Sequence, residues 1–261
     1  MRSDPIKLRE EFKQHLSESE QELLGVNLPA GSEHYRAYVG PPFNYDINGA
    51  LQFQFMLNLG LREYHRFLEV GCGSLRLGRL IMMYLLPSRY YGVEPNRKIL
   101  LDGIENNLGS SIDGNDLIYL KQPKFDHNSQ FDFSFVGGKV DFVIAQSIAS
   151  HTGVKETRRL LESIVSVMHE DSIAMITYIR CDDSRSNEKD GWFYPECVSY
   201  SDSFIANEAA ACGVYAYRTF WPLLNKRPDG LITTQTPLIL TFKQWKPTLA
   251  QISSGISIDS I

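Results

Sequence analysis

The sequence has 261 residues, 43% of them apolar and 22% charged, which is ordinary globular usage and excludes wholesale disorder. A chain this long buries roughly 70–75% of the surface its unfolded form exposes, so it needs no disulfide or metal staple. Lys and Arg total 26 against 31 Asp and Glu, a net charge of −5, without the basic excess of a dedicated nucleic-acid binder.

Residues 5–24 are predicted as one polar helix. Asp4 can N-cap it, Pro5 suits its first position, Leu8, Phe12 and Leu16 form a narrow apolar stripe, and Gly25 can end it. A turn-rich segment from Gly31 to Gly49 follows, stiffened by Gly40-Pro41-Pro42 and carrying Tyr35, Tyr38, Phe43 and Tyr45. A helix is predicted from Ala50 to Leu59. Alternation then begins. Strands are predicted at Arg66–Val70, Tyr90–Val93, Leu117–Leu120, Val140–Ala145 and Ser172–Ile179. Helices are predicted at Leu75–Leu86, Arg97–Leu108 and Lys155–Met168. A last helix, Asp202–Cys212, has Ser201 to cap it and Gly213 to end it. Val214–Trp221 and Pro237–Phe242 are strands with no helix between them, so they are expected as an antiparallel edge pair. The tail from Lys246 is Ser/Ile-rich and is expected to fray.

Strand–helix alternation with short connections predicts an α/β fold. The expected architecture is a Rossmann-like, doubly wound sheet of seven strands. It is mostly parallel with an antiparallel edge, has helices on both faces, and carries an N-terminal helical lid. The expected division is a lid segment at 1–62, a main domain at 63–245 and a tail at 246–261. Ligands of such sheets sit at the carboxyl ends of the strands.

The segment that carries chemistry is Phe67-Leu68-Glu69-Val70-Gly71-Cys72-Gly73-Ser74-Leu75-Arg76. A strand ends in an acid, then Gly71 and Gly73 make a tight turn that lets a ligand approach the backbone. A dinucleotide site would want G-x-G-x-x-G, and Arg76 stands where the third glycine belongs. An acid just before the turn repels a diphosphate and suits a ligand with a cationic end, such as an amino-acid ammonium. Glu94 follows about 20 residues later, after the next strand, where an acid accepts both hydroxyls of a ribose. An ammonium beside a ribose, with no phosphate cradle, describes S-adenosylmethionine (SAM).

Glu69-x-Gly71-x-Gly73 with Glu94 resembles the class I SAM-dependent methyltransferases. The wider run, from Tyr38-Val39-Gly40-Pro41-Pro42 through Gln52-Phe53 and Gly60-Leu61 to Leu68–Arg76, resembles a bacterial subgroup of that family whose substrate is unassigned. The resemblance covers about Tyr35 to Phe242. It implies SAM as cofactor, with Glu69, Gly71 and Gly73 at its methionine moiety and Glu94 on its ribose. It implies an acid near the end of the third strand for the adenine. Asp132 is the candidate, with Phe133 covering the ring, and Asp126 competes. Gln146, after the fourth strand, matches the position that lines the methyl group.

Other readings of these residues stay open. Glu69 can cap loop amides, Glu94 can be a solvated acid at a helix start, and Cys72 suits a tight turn simply by being small. Arg76 can hold the cofactor carboxylate bidentately or lie on the surface with a packed stem.

The expected reaction moves the sulfonium methyl to an oxygen or nitrogen of a small molecule, sugar or biosynthetic intermediate. Such a reaction mainly needs alignment of the nucleophile and removal of its proton. His151, in the loop after the fourth strand, is the candidate base, or it shapes the pocket. The lid aromatics either favour a sulfonium cation by cation–π attraction or pack the helix onto the sheet. Trp192, Phe193, Tyr194, Trp221 and Arg227 are acceptor-pocket candidates by position. Asp182-Asp183 lacks partner ligands, so no metal is expected. Ala145-Gln146-Ser147-Ile148 lacks the Asn/Asp-Pro-Pro-Tyr/Phe of enzymes that methylate DNA bases, so no nucleic-acid acceptor is expected. The alternative is a non-catalytic SAM-binding module that supports a partner.

No window of ~18 consecutive apolar residues is present, so no membrane span is expected. Met1–Pro5 leads into Glu/Lys-rich sequence rather than an apolar signal core, so the expected location is the cytoplasm. There Cys72, Cys181, Cys197 and Cys212, far apart and without a CxxC pair, are expected as free thiols. A homodimer is an open arrangement.

Overall fold

A computed structural model of the chain describes residues 10, 12–109, 117–219, 235–249, 251 and 258–261. Its strands are β1 (Phe67–Val70), β2 (Tyr90–Val93), β3 (Lys124–Asp126), β4 (Val140–Ala145), β5 (Met168–Ile179), β6 (Tyr215–Thr219), β7 (Gln235–Thr241) and β8 (Ile258–Ser260). They form one sheet in the order β3-β2-β1-β4-β5-β7-β6-β8. β1 to β5 pair in parallel, while β7 lies antiparallel between β5 and β6. Six of the seven expected strands are present, the third strand lies at Lys124–Asp126, and the last two, β6 and β7, pair antiparallel as expected. The tail departs from expectation: β8 pairs antiparallel with β6 and adds an eighth strand.

The helices are α1 (Glu18–Leu23), α2 (Tyr45–Asn58), α3 (Gly78–Tyr84), α4 (Arg97–Asn107), α5 (Leu117–Lys121), α6 (Val154–Ser166) and α7 (Asp202–Ala211). Successive strand residues point to opposite faces, and the sheet accordingly has two cores. Leu68, Val143, Ala174 and Ile176 meet Leu160, Leu161 and Ile164 of α6 and Ile205 of α7. Phe67, Phe142, Ile144 and Met175 meet Met56 of α2, Ile81 and Met82 of α3 and Leu100 of α4. Each fully buried Leu, Ile, Val, Phe or Met side chain among them contributes about 1.5–3 kcal/mol. Because α2 buries Phe55 and Met56 in the second core, the expected lid helix is part of the body of the fold.

Two elements differ from the sequence reading. Leu117–Leu120, expected as a strand, is the helix α5, and the third strand is Lys124–Asp126. A run of four apolar residues has no periodicity that separates strand from helix. Here Tyr119 and Leu120 turn outward, and the Lys121 ammonium donates to the Leu85 carbonyl at 2.6 Å, fastening α5 to the end of α3. The expected helix over residues 5–24 is also broken. Asp4, Pro5 and Leu8 lie outside the described residues, and the chain turns before Ser17 and restarts as α1. The Glu20 N–H donates to Ser17 Oγ at 3.3 Å, and the Ser17 N–H donates back to the Glu20 carboxylate at 2.8 Å. That reciprocal box sets a helix start. Gly25, left-handed at φ 58°, follows its end as expected. Ser201 caps α7 as expected, accepting from the Phe204 N–H at 3.2 Å.

α4 packs against the turn after β1 at Gly103, where an added Cβ would lie 2.5 Å from the Ser74 carbonyl carbon. Gly103→Ala is therefore expected to destabilise the chain even though alanine favours helix. Overpacking costs about 1–3 kcal/mol and helix preference returns ~1 kcal/mol. Urea unfolding checks the sign: a stabilised variant would mean that α4 yields freely.

Candidate cofactor cleft

The turn after β1 is held from below by β2, since the Gly71 and Cys72 N–H groups both donate to the Val93 carbonyl, at 2.8 and 3.0 Å. Three residues of the turn are left-handed: Gly71 (φ 71°), Gly73 (φ 52°) and Leu75 (φ 64°). The third special position is thus Leu75, one residue before the Arg76 that the dinucleotide comparison pointed to. A left-handed non-glycine costs roughly 1–2 kcal/mol, which burial of the whole Leu75 side chain in the second core offsets. Both glycines lie at close approach. A Cβ on Gly73 would sit 2.5 Å from Val39 Cγ1, and one on Gly71 would sit 2.2 Å from Ile148 Cδ1. The segment before α2 and the loop after β4 therefore close over the turn from two sides.

Glu94 stands at the carboxyl end of β2 beside this turn. Its carboxylate accepts from the Gly73 N–H at 3.0 Å and from the Asn96 N–H at 2.9 Å. Burial raises its pKa, against the pull of those two N–H groups. Glu69, at 7% exposure, takes a different direction from the expected one. Its side chain turns into the fold and accepts from Tyr90 Oη at 2.6 Å, so it neither caps loop amides nor meets the glycine N–H groups. Burial pushes its pKa up to about 8.

That shift has a stability consequence. The folded chain keeps a proton on Glu69 that the unfolded chain, with a pKa near 4.5, releases. Stability from this group is full below pH 4.5 and is lost as pH rises through about 8. Urea unfolding at pH 5 and pH 8 is expected to show this decline in the wild type and a smaller one in Glu69→Gln. Equal declines would remove Glu69 as the cause.

Arg76 is partly buried and joins three segments. Its Nη1 donates to the Val39 carbonyl at 2.6 Å and its Nε donates to Gln52 Oε1 at 3.3 Å. The Gln52 amide in turn donates to Gln146 Oε1. Gln52, only 2% exposed, thus ties α2 to Arg76 and Gln146, two of the residues expected at the cofactor. Asn48, one turn earlier on α2, is buried, and its Oδ1 has no hydrogen-bond partner among the described residues. Neither amide had a site role in the sequence reading, although Gln52 stands in the run that carries the resemblance. Their signal was a polar pair spaced i, i+4 on the buried face of α2.

The two acids expected near the adenine lie at different places. β3 ends at Asp126, whose carbonyl accepts from the Glu94 N–H at 3.0 Å. Asp132 lies six residues beyond, exposed, and its carboxylate accepts from the Ser134 N–H at 2.9 Å, starting a short 3-10 turn. Phe133 is buried in the first core beside Phe131. With β3 at Lys124–Asp126, Asp126 stands at the carboxyl end of the third strand.

His151 lies in the loop after β4. Its Nδ1 is 2.6 Å from the Glu196 carbonyl oxygen. A carbonyl only accepts, so Nδ1 carries the hydrogen and Nε2 of the neutral ring keeps a lone pair. Burial lowers the pKa of the ring, which keeps it neutral near pH 7. The ring of Tyr194 stands edge-on to it at 5.2 Å, and Trp192 and Tyr194 are both exposed on the crossing loop that joins β5 to α7, residues 180–201. Trp221 and Arg227 lie outside the described residues.

The lid aromatics take the packing role. Tyr45 Oη donates to the Ser74 carbonyl at 2.7 Å, Tyr38 Oη donates to Asp102 at 2.9 Å, and Arg36 lies over the Tyr45 ring at 5.3 Å. Asp182 pairs with Arg185, and Asp183 accepts from Ser203 Oγ. Among the described residues, no group of three or more His, Cys, Asp or Glu side chains could hold a metal ion. No described helix is long and apolar enough to cross a membrane.

No protein-family model and no curated protein matches the sequence. Solved structures do. Magnesium protoporphyrin IX methyltransferase from Synechocystis PCC 6803, crystallised with bound SAM, aligns at TM-score 0.56 and 12% identity, over 89% of this chain and 96% of that one. The CcbJ methyltransferase from Streptomyces caelestis aligns at TM-score 0.52 and 14% identity, over 78% of this chain and 97% of that one. An S-adenosylmethionine-dependent methyltransferase from Clostridium acetobutylicum aligns at TM-score 0.52 and 9% identity, over 77% and 92%. This chain has the methyltransferase fold. In that fold the glycine turn, Glu94 and the loop bearing His151 all lie at the carboxyl ends of β1, β2 and β4, where ligands of doubly wound sheets bind.

Proposed function

We propose that this chain is a SAM-dependent methyltransferase acting on an oxygen or nitrogen of a small-molecule, sugar or biosynthetic-intermediate acceptor. The observation that carries the reading is the Glu94 carboxylate seated against the Gly73 N–H at the carboxyl ends of β1 and β2. The donor set fits the cofactor. The glycines form a cradle in which a Cβ would collide with Val39 or Ile148, and Glu94 offers acceptors to the ribose hydroxyls. No run of free turn amides is left for a diphosphate, because Gly71 and Cys72 donate to Val93 and Gly73 donates to Glu94.

When bound, SAM supplies an electrophilic methyl and leaves as a neutral thioether. The residues of the chain do the rest. Glu94 fixes the ribose, Asp126 takes the adenine end, and Arg76, Gln52 and Gln146 line the methionine end. His151 Nε2 accepts the proton of the acceptor O–H or N–H as the new bond to the methyl carbon forms. Trp192, Phe193 and Tyr194 border the acceptor side. The net charge of −5 disfavours a nucleic-acid acceptor.

Calorimetric titration with SAM and with its demethylated product, S-adenosylhomocysteine, tests the cofactor. Micromolar binding of both is expected. A folded chain that binds neither would overturn the reading and leave the glycine turn as a structural feature.

A further inference from the structure

The loop after β4 is held from beneath by side chains of β5 and β7. Ser147 is left-handed at φ 60°, and its N–H donates to Thr177 Oγ1 on β5 at 2.8 Å. The Thr177 hydroxyl donates to Gln235 Oε1, at the start of β7. The other end of the same amide returns to the loop, where Gln235 Nε2 donates to Ser150 Oγ at 3.1 Å. Thr177 and Ser150 are fully buried and Gln235 nearly so. Buried polar groups of this kind are costly unless satisfied and rigid when they are. One amide therefore clamps the loop at residues 147 and 150.

Ser150 is also the junction with the crossing loop. Its carbonyl accepts from the Val198 N–H at 2.8 Å, and the His151 carbonyl accepts from the Phe193 N–H at 2.8 Å. That crossing loop carries the Glu196 carbonyl that holds His151 Nδ1. We infer that Gln235 is a positioning residue for His151, joining β5 and β7 to Ser150, the residue before the histidine, whose carbonyl meets the loop that fixes its ring. The inference rests on the reading of His151 as the base. Gln235 touches neither the acceptor nor the cofactor in it; its role is to keep Nε2 aimed at the acceptor proton.

The test is nitrogen NMR of the histidine-labelled full chain, with S-adenosylhomocysteine titrated in parallel. In the wild type, His151 is expected in a single Nδ1–H tautomer. Gln235→Leu is expected to average the two ring-nitrogen signals toward each other, while the affinity for S-adenosylhomocysteine changes less than about threefold, under 1 kcal/mol. Gln235→Glu keeps an acceptor for the Thr177 hydroxyl and can accept from the Ser150 hydroxyl, so it is expected to restore the single tautomer. If Gln235→Leu fails to fold, Ser150→Ala breaks the same clamp by removing one small hydroxyl and is expected to give the same averaging. An unchanged His151 tautomer in a folded clamp variant would overturn the inference. Turnover of His151→Ala separates the two ideas: wild-type turnover there would sink the base, whereas the tautomer result reports on the clamp alone.

Discussion

His151→Ala is expected to lower kcat by about 10²–10⁴-fold, the usual contribution of a positioned general base, with the affinity for SAM unchanged. The asymmetry follows from where the residues lie. Glu94 and the glycine turn belong to β1 and β2, whereas His151 belongs to the loop after β4 and is held by Glu196 of the crossing loop. Because burial lowers the pKa of the ring, the basic limb of kcat against pH is expected to extend below the ordinary histidine value. Activity should fall only as Nε2 becomes protonated at lower pH. Measuring formation of the demethylated cofactor against pH checks both points. A variant with wild-type kcat would remove His151 from the path of the proton.

Glu94→Ala is expected to weaken SAM and S-adenosylhomocysteine by about 100-fold or more. Two hydrogen bonds from ribose hydroxyls to an ionised carboxylate are worth ~1.5–3 kcal/mol each, and ~1.4 kcal/mol is tenfold. The carboxylate also holds the Gly73 and Asn96 N–H groups, so part of the loss could come from a loosened turn. Glu94→Gln separates the two. It keeps one acceptor oxygen and is expected to lose roughly tenfold. Calorimetry on both variants, with thermal melts to confirm folding, gives the comparison. Unchanged binding in Glu94→Ala would place the ribose elsewhere.

The glycine turn and the acid beside it were legible because they are local. Two glycines in a strand-to-helix turn and an acid at the end of the next strand are close in sequence, and both strands are short and buried as read. The third strand was less legible for a local reason too. Leu117–Leu120 has no period that separates strand from helix, and with the strand at Lys124–Asp126 it is Asp126, the competitor of Asp132, that stands at its end.

Other features depended on contacts across long separations. Glu69 carries the pattern of a site acid, yet its partner is Tyr90, across the β1–β2 pair and facing the second core. No spacing rule predicts which way a strand-end acid turns. The left-handed backbone at Leu75 is set by the packing of α3 and α4 against the turn, where leucine is an improbable choice by local preference. Gln52 reaches Gln146 across 94 residues and Gln235 reaches Ser150 across 85. Side-chain amides report nothing of their partners in the one-dimensional pattern, since an amide on a helix or strand reads the same whether solvated or buried.

The sequence by itself determined the alternation of strands and helices, the glycine turn, the acid after the second strand and a histidine after the fourth. Each of these follows from local backbone preference or from apolar periodicity. Only the tertiary structure decided that Val39 and Ile148 close over the glycines, that Arg76 joins the segment before α2 to the cleft, and that two buried amides brace the site. These depend on which side chains the sheet order brings face to face, and hydrogen-bond pairing between distant residues is settled by that geometry alone.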